Sequence, residues 1–235
     1  MGRRPESRGK CTFCGDSVVF SSMTKHLQSC VKRQEAVGKE SSAKRSKIYG
    51  LKVWAAYNPA YWLFLEAAES TKLEDLDDFL RKTWLECCGH LSAFTIQDVR
   101  YEVETGEPDF MAKTFDEEES KTMDISLGSV LSSGMVFHYE YDFGSTTDLD
   151  LKVLWEREGR LNKKGVTVLS RNEPIGFKCA ACGQPAESVC TECGDEKAAS
   201  YCRACAAKHE CSEEMLLPVV NSPRMGVCGY VGVDV

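Results

Sequence analysis

The chain has 235 residues, with 29 Lys and Arg against 36 Asp and Glu and a formal net charge of -7. Its 43% hydrophobic and 28% charged residues are the balance of a soluble globular protein, which excludes a disordered or collagen-like chain. No apolar run approaches the ~20 residues of a bilayer-spanning helix, and the opening MGRRPESRGK lacks a secretory apolar stretch, so a cytoplasmic protein with no membrane partner is expected.

In a reducing compartment, 13 cysteines beside 4 histidines point to bound metal rather than disulfides. They fall in groups: Cys11, Cys14 and Cys30; Cys87 and Cys88; then eight between Cys179 and Cys228. Charge divides the chain along similar lines. Residues 1–50 carry 11 basic and 4 acidic side chains, residues 51–173 carry 13 and 24, and residues 174–235 carry 5 and 8. Four segments follow: a zinc finger at 1–32, a basic linker at 33–46, an α+β domain at 47–173 and a cysteine-rich double zinc module at 174–235.

The first segment spaces its candidate ligands as Cys11-x2-Cys14-x11-His26-x3-Cys30. A CxxC turn places two thiolates on one side of a knuckle. His26 and Cys30 are one helical turn apart and project from one face. Phe20, Met23 and Leu27 supply an apolar cluster behind the metal. The HLxxC ending resembles the small ubiquitin-binding zinc finger of DNA-repair proteins, with Gln28 where that finger carries Asp. Residues 31–47 then show little apolar periodicity and several Lys, Arg and Ser, which predicts a flexible basic linker. Nucleic acid is a possible partner of the basic residues 1–50, since Lys and Arg neutralise phosphates.

Next, KIYGLKVWAAY (47–57) and YWLFLEA (61–67) predict strands. Thr71-Lys72-Leu73-Glu74 has the pattern of a capping box opening a helix that ends near Cys88-Gly89. Within that helix, Leu73, Leu76, Phe79, Leu80 and Trp84 recur at helical spacing. AFTIQDVRYEV predicts further strands. MVFHYEYDF alternates through Met135, Phe137, Tyr139, Tyr141 and Phe143, and LDLKVLW through Leu149, Leu151, Val153 and Trp155, a hairpin pattern. GVTVLS adds a strand. The fold class is α+β: an antiparallel sheet with a packed helix, flanked by small zinc-stabilised modules.

Strand, helix, Gly89-His90-Leu91-Ser92-Ala93-Phe94 and then Tyr139-Glu140-Tyr141-Asp142-Phe143-Gly144 resemble the Ri-plasmid open-reading-frame-three-like family. The resemblance spans roughly residues 47–170 and implies an α+β fold without an assigned activity. In this region Cys87 and Cys88 are expected to be buried thiols, and His90 a capping or packing residue.

The last segment carries Cys179-x2-Cys182, Cys190-x2-Cys193, Cys202-x2-Cys205 and His209-x-Cys211, eight ligands for two tetrahedral zinc sites. Interleaved connectivity groups Cys179, Cys182, Cys202 and Cys205 on one ion and Cys190, Cys193, His209 and Cys211 on the other; sequential pairing of the first two knuckles is the competing topology. The arrangement resembles B-box and MYND-type modules, which bind proteins. Cys228 is either a replacement for Cys211 or a buried thiol.

Together these features predict a non-catalytic interaction protein with about three structural zinc ions per chain and a protein partner. The alternative is an enzyme with an acidic site near Asp142, which a strongly raised Asp142 carboxyl beside His90 or His138 would favour.

Overall fold

The structure, a computed structural model, describes residues 7–40, 45–103, 120–161, 165–193 and 199–232. Residues 1–6 and 41–44 of the basic N-terminal stretch lie outside the described residues. In chain order the elements are β1 (Arg8–Cys11), β2 (Ser17–Val19), α1 (Phe20–Ser29), α2 (Val31–Gly38), β3 (Ser46–Ala55), β4 (Trp62–Ala68) and α3 (Leu73–Leu80). A wider π-type turn (Arg81–Leu85) continues α3. There follow β5 (Ser92–Ile96), β6 (Val99–Glu102), β7 (Lys121–Thr122), α4 (Leu127–Val130), β8 (Val136–Tyr141), β9 (Thr147–Gly159) and β10 (Val166–Asn172). The C-terminal part contains β11 (Ser188–Cys190), β12 (Ser200–Tyr201), α5 (Arg203–Ala206) and β13 (Leu216–Pro218). Among the described residues no helix is long and apolar enough to cross a membrane.

The fold is α+β, with one large, mainly antiparallel sheet in the order β2-β1-β10-β4-β3-β9-β8-β5-β6-β7 and a small sheet in the order β12-β11-β13. Among the described strands only β6 and β7 pair in parallel. The β8–β9 hairpin has the register its alternation predicts, with Phe137 opposite Leu151 and Tyr139 opposite Leu149.

Both faces of the central strands are covered, and β4 shows why its sequence is almost continuously apolar. Leu63, Leu65 and Ala67 point into the larger core, with α3, Trp84 and the buried residues of β5, β8 and β9. Trp62 and Phe64 point the other way, into a smaller core with Met23 and Leu27 of α1. The ring of Phe20 stacks on Trp62 with centroids 5.3 Å apart. The N-terminal finger therefore continues the sheet: β1 pairs with β10, Cys11 lying opposite Ser170. The ladder crosses from residues 1–32 into the α+β domain.

Several sequence expectations shift. The basic linker begins as helix α2, and Arg33 is buried rather than solvated. Its guanidinium meets Glu66 of β4 at 2.6 Å and lies over the Trp155 ring, so tertiary contacts override weak local periodicity. Glu66 also accepts hydrogen bonds from Arg157, which in turn pairs with Glu40 just past α2. At the start of α3 the reaching-back carboxylate is Asp75, one residue later than Glu74: its Oδ2 accepts the Lys72 backbone N–H at 3.0 Å. Thr71 is instead buried, with its carbonyl accepting the Leu127 N–H.

Two positions leave their predicted faces. Phe143 is exposed, because the chain turns at Asp142, where φ is +65°. Trp155 crosses to the finger face because β9 shifts register against β3 between Gly50 and Leu51. There the indole lies directly over Gly50, and a Cβ at that position would stand 2.0 Å from Trp155 Cε2.

Candidate metal centres

The finger brings Cys11, Cys14, His26 and Cys30 together, with all ligand atoms within 4.8 Å of one another. Cys11 ends β1, Cys14 lies in the turn to β2, His26 projects from α1 and Cys30 follows its last residue. Cys14 Sγ is 3.3 Å from His26 Nε2, and Cys11 Sγ is 4.0 Å from Cys30 Sγ. A tetrahedral zinc with Zn–S near 2.3 Å and Zn–N near 2.0 Å sets those edges at about 3.5–3.8 Å. Met23 and Leu27 are fully buried behind the cluster, as expected. The helical spacing of His26 and Cys30 is what turns both toward the knuckle.

The double module has interleaved connectivity. Cys179, Cys182, Cys202 and Cys205 converge on one point, and Cys190, Cys193, His209 and Cys211 on a second. Cys182 Sγ lies 3.6 Å from Cys202 Sγ; Cys193 Sγ lies 3.2 Å from His209 Nε2 and 3.8 Å from Cys211 Sγ. Strand pairing explains the interleaving. β11, which ends at Cys190, pairs with β12, which ends just before Cys202, and with β13, which follows Cys211, so both later ligand pairs are drawn back to the knuckles that flank β11. Tyr201 packs its ring against His209 with centroids 4.3 Å apart.

Thiols held this close compete for protons. In the first of these groups Cys179 is pulled down to about 6, chiefly because the Cys202 backbone N–H bonds its sulfur. Cys205 is pushed up to about 12, first by its hydrogen bond with Cys202. Cys211 likewise rises to about 12, first by its contact with Cys190. One thiolate forms readily in such a cluster and then resists the next. A divalent cation among the sulfurs removes that conflict, because it stabilises every thiolate at once.

Sequence reasoning missed one cluster. Cys87, Cys88, His90 and Cys228 also place their ligand atoms within 4.8 Å of one another. The expectation of buried thiols fails: Cys88 and Cys228 are exposed and Cys87 is half-buried. Cys228 does not replace Cys211, since the two sit in different clusters. The signal available in the sequence was arithmetic. The 13 cysteines plus His26, His90 and His209 make four complete sets of four, with His138 left over.

Asp142 has the opposite character to a general acid. Burial pushes its carboxyl up, but hydrogen bonds from Arg224 and from the backbone N–H groups of Ser145 and Gly144 outweigh it and hold it below the usual carboxylate range. Its Oδ2 lies 3.5 Å from His90 Nε2. His138 sits across the hairpin from Asp150, with Nδ1 2.6 Å from Oδ1, on an exposed face. Burial instead pushes up the carboxyls of Asp148, on β9, and of Asp77. Asp77 Oδ1 accepts hydrogen bonds from Ser92 Oγ at 2.6 Å and Tyr139 Oη at 2.7 Å, so it pegs α3 to β5 and β8 inside the core.

No protein-family model matches the chain, and no curated protein matches it. Among solved structures it is similar to a protein of unknown function from Methanosarcina mazei Go1, with a TM-score of 0.44 and 13% sequence identity over 54% of this chain and 69% of that one.

Proposed function

We propose that the chain is a non-catalytic interaction protein whose Cys/His clusters hold structural zinc and whose partner is another protein. The observation that carries the reading is the ligand count. The finger and both sites of the double module each converge four protein ligands, either three thiolates with one imidazole or four thiolates. Such a set fills a tetrahedral zinc shell and leaves no position for water or substrate. The lowered Asp142 carboxyl lacks the property that favoured the enzyme alternative. Membership of the central domain in the Ri-plasmid open-reading-frame-three-like family belongs to this proposal, supported by GHLSAF and YEYDFG at residues 89–94 and 139–144.

A protein partner is favoured over nucleic acid because part of the basic N-terminal charge is already committed. Arg33 is buried against Glu66 and does not face a phosphate. The finger and the double module also resemble protein-binding zinc modules.

The test is metal analysis of full-length protein purified without added metal, followed by affinity capture. At least one equivalent of zinc for each of these three tetrads, and captured partners that survive nuclease and moderate salt, support the reading. A protein without zinc sinks the structural-zinc reading; capture abolished by nuclease overturns the choice of partner.

A further inference from the structure

The cluster of Cys87, Cys88, His90 and Cys228 differs from the others in how it is assembled. Cys87, Cys88 and His90 lie in the bend after the π-type turn, and Cys228 arrives 138 residues after His90 in the C-terminal tail. Cys88 Sγ is 3.6 Å from Cys87 Sγ, 2.9 Å from His90 Nε2 and 3.7 Å from Cys228 Sγ, and Cys228 Sγ is 3.2 Å from His90 Nε2. The two S–S separations, 3.6 and 3.7 Å, match the S···S edge of a tetrahedral zinc shell, about 3.8 Å, and the two S–N separations are tighter than its S···N edge of about 3.5 Å.

Both contributing segments are shaped to deliver their sulfurs. Gly89 adopts a φ of +78°, which turns the chain between Cys88 and His90 so that both face one point. Cys228 itself has a φ of +49°, a region that L residues avoid, between Gly226 and Gly229, both also at positive φ. The tail is pinned on each side of Cys228. Ser222 Oγ donates to the Trp84 carbonyl at 2.6 Å, and Arg224, fully buried, donates to the Ser145 carbonyl and pairs with Asp142. Tyr230 is buried on the other side. Arg224 Nη2 also lies 3.6 Å from Cys87 Sγ, where its charge suits a thiolate.

We propose that Cys87, Cys88, His90 and Cys228 bind a further thiophilic divalent cation of the zinc class, and that this ion staples the C-terminal tail to the central domain. This deepens the structural-zinc reading and takes the metal's identity from it. With it, every cysteine in the described residues is a ligand. The staple closes the longest ligand loop in the chain, so the ion constrains the tail where covalent connectivity leaves it free.

The experiment compares full-length wild type with Cys228→Ser and, separately, His90→Asn. Native mass spectrometry counts zinc, and hydrogen exchange follows residues 219–232. The expected result is four zinc ions in wild type and three in each variant, with exchange of the tail faster by tenfold or more and the finger and double module unchanged. Equal zinc counts in wild type and both variants overturn the proposal while leaving the three-site reading intact. Wild type without any zinc overturns the underlying reading as well. A wild-type mass lighter by two hydrogens, with Cys88 and Cys228 linked, assigns the contact to a disulfide and also overturns the staple. Because Cys228 lies at the surface, its Ser variant folds, and unchanged near-ultraviolet dichroism verifies that.

Discussion

Two clusters, each of three cysteines and one histidine, fasten chain segments to the same central domain in opposite ways. The finger cluster draws its four ligands from Cys11 to Cys30, and behind it Met23, Leu27, Trp62 and Phe64 form a dry core on one face of the sheet. The tail cluster joins ligands from Cys87 to Cys228 at the surface, and what holds that tail otherwise is largely polar: Ser222 on Trp84 and Arg224 on Asp142. A metal ion in the first would close a lid over apolar area; one in the second would close a long loop. Hydrophobic burial scales with area, at roughly 25 cal/mol per Å², whereas loop closure grows only with the logarithm of loop length. Disturbing the lid should therefore cost much more global stability than releasing the tail.

The largest expected effect tests the lid directly. Trp62 is fully buried, stacked on Phe20 and edge-on to Phe64, and its indole N–H donates to Ser7 Oγ at 2.6 Å. Trp62→Ala removes the floor beneath α1 and is expected to cost about 3–5 kcal/mol in denaturant unfolding. Limited proteolysis should open the finger first and leave the tail protected. A loss below about 1 kcal/mol would show that the second core does not hold the finger down.

Next in size is the ionic corner of the same face. Glu66→Gln leaves the Arg33 and Arg157 guanidinium groups facing a neutral amide, at an expected cost of about 2–3 kcal/mol. Burial pushes the Glu66 carboxyl up, but the hydrogen bonds and charges of Arg157 and Arg33 outweigh it and hold it below its ordinary value. A lowered folded value means its contribution is complete above the unfolded value of about 4.3 and is lost as pH falls through the folded one. The gap in Tm between wild type and Glu66→Gln should stay constant from about pH 7 to pH 5 and narrow below about pH 4. A gap as wide at about pH 3 as at about pH 7 would mean the charge of Glu66 contributes nothing.

These two sites also show what a sequence can disclose. The finger was legible because all its ligands lie within one knuckle and one helical turn, and the interleaved module because its paired knuckles survive any arrangement of the loops between them. Aromatic and β-branched content likewise placed β3 and β4, GVTVLS placed β10, and alternation placed the β8–β9 hairpin. The tail cluster was hidden for the converse reason: tertiary folding alone brings Cys228 to His90, and an adjacent Cys87-Cys88 pair looks like two buried thiols until Gly89 turns the chain. Trp155 was misplaced because the register shift opposite Gly50 moves it to the other face, which period-2 alternation cannot foresee. Arg33 looked like part of a solvated basic run because its partner Glu66 lies on a strand 33 residues away.

A smaller effect sharpens the role of that register shift. Gly50→Ala drives a methyl group into the Trp155 indole, which must tilt away from Glu66 and Arg33. An expected loss of about 1–3 kcal/mol, with a changed tryptophan fluorescence maximum, separates this packing clash from a mere change in strand propensity. An unchanged spectrum and unchanged stability would mean that the indole moves aside freely.

The smallest global effect is expected at the tail, and the contrast with the finger decides the comparison. Cys14→Ser removes a ligand whose cluster holds α1 over the second core, so unfolding should begin at the finger and spread through β1 into β10, with which β1 pairs. Cys228→Ser removes a surface ligand, and the large core that contains Leu65, Tyr139 and Leu151 keeps all its contacts. The expected shift in global stability for Cys228→Ser is below about 1 kcal/mol, within the range of ordinary surface changes, even while the tail exchanges faster. Graded chelation should follow the same order, stripping the exposed tail site before the finger, whose Cys11 and Cys30 are buried. If Cys228→Ser instead destabilises the whole chain as much as Cys14→Ser does, the tail is part of the cooperative core, and loop closure rather than buried area sets the stability of this fold.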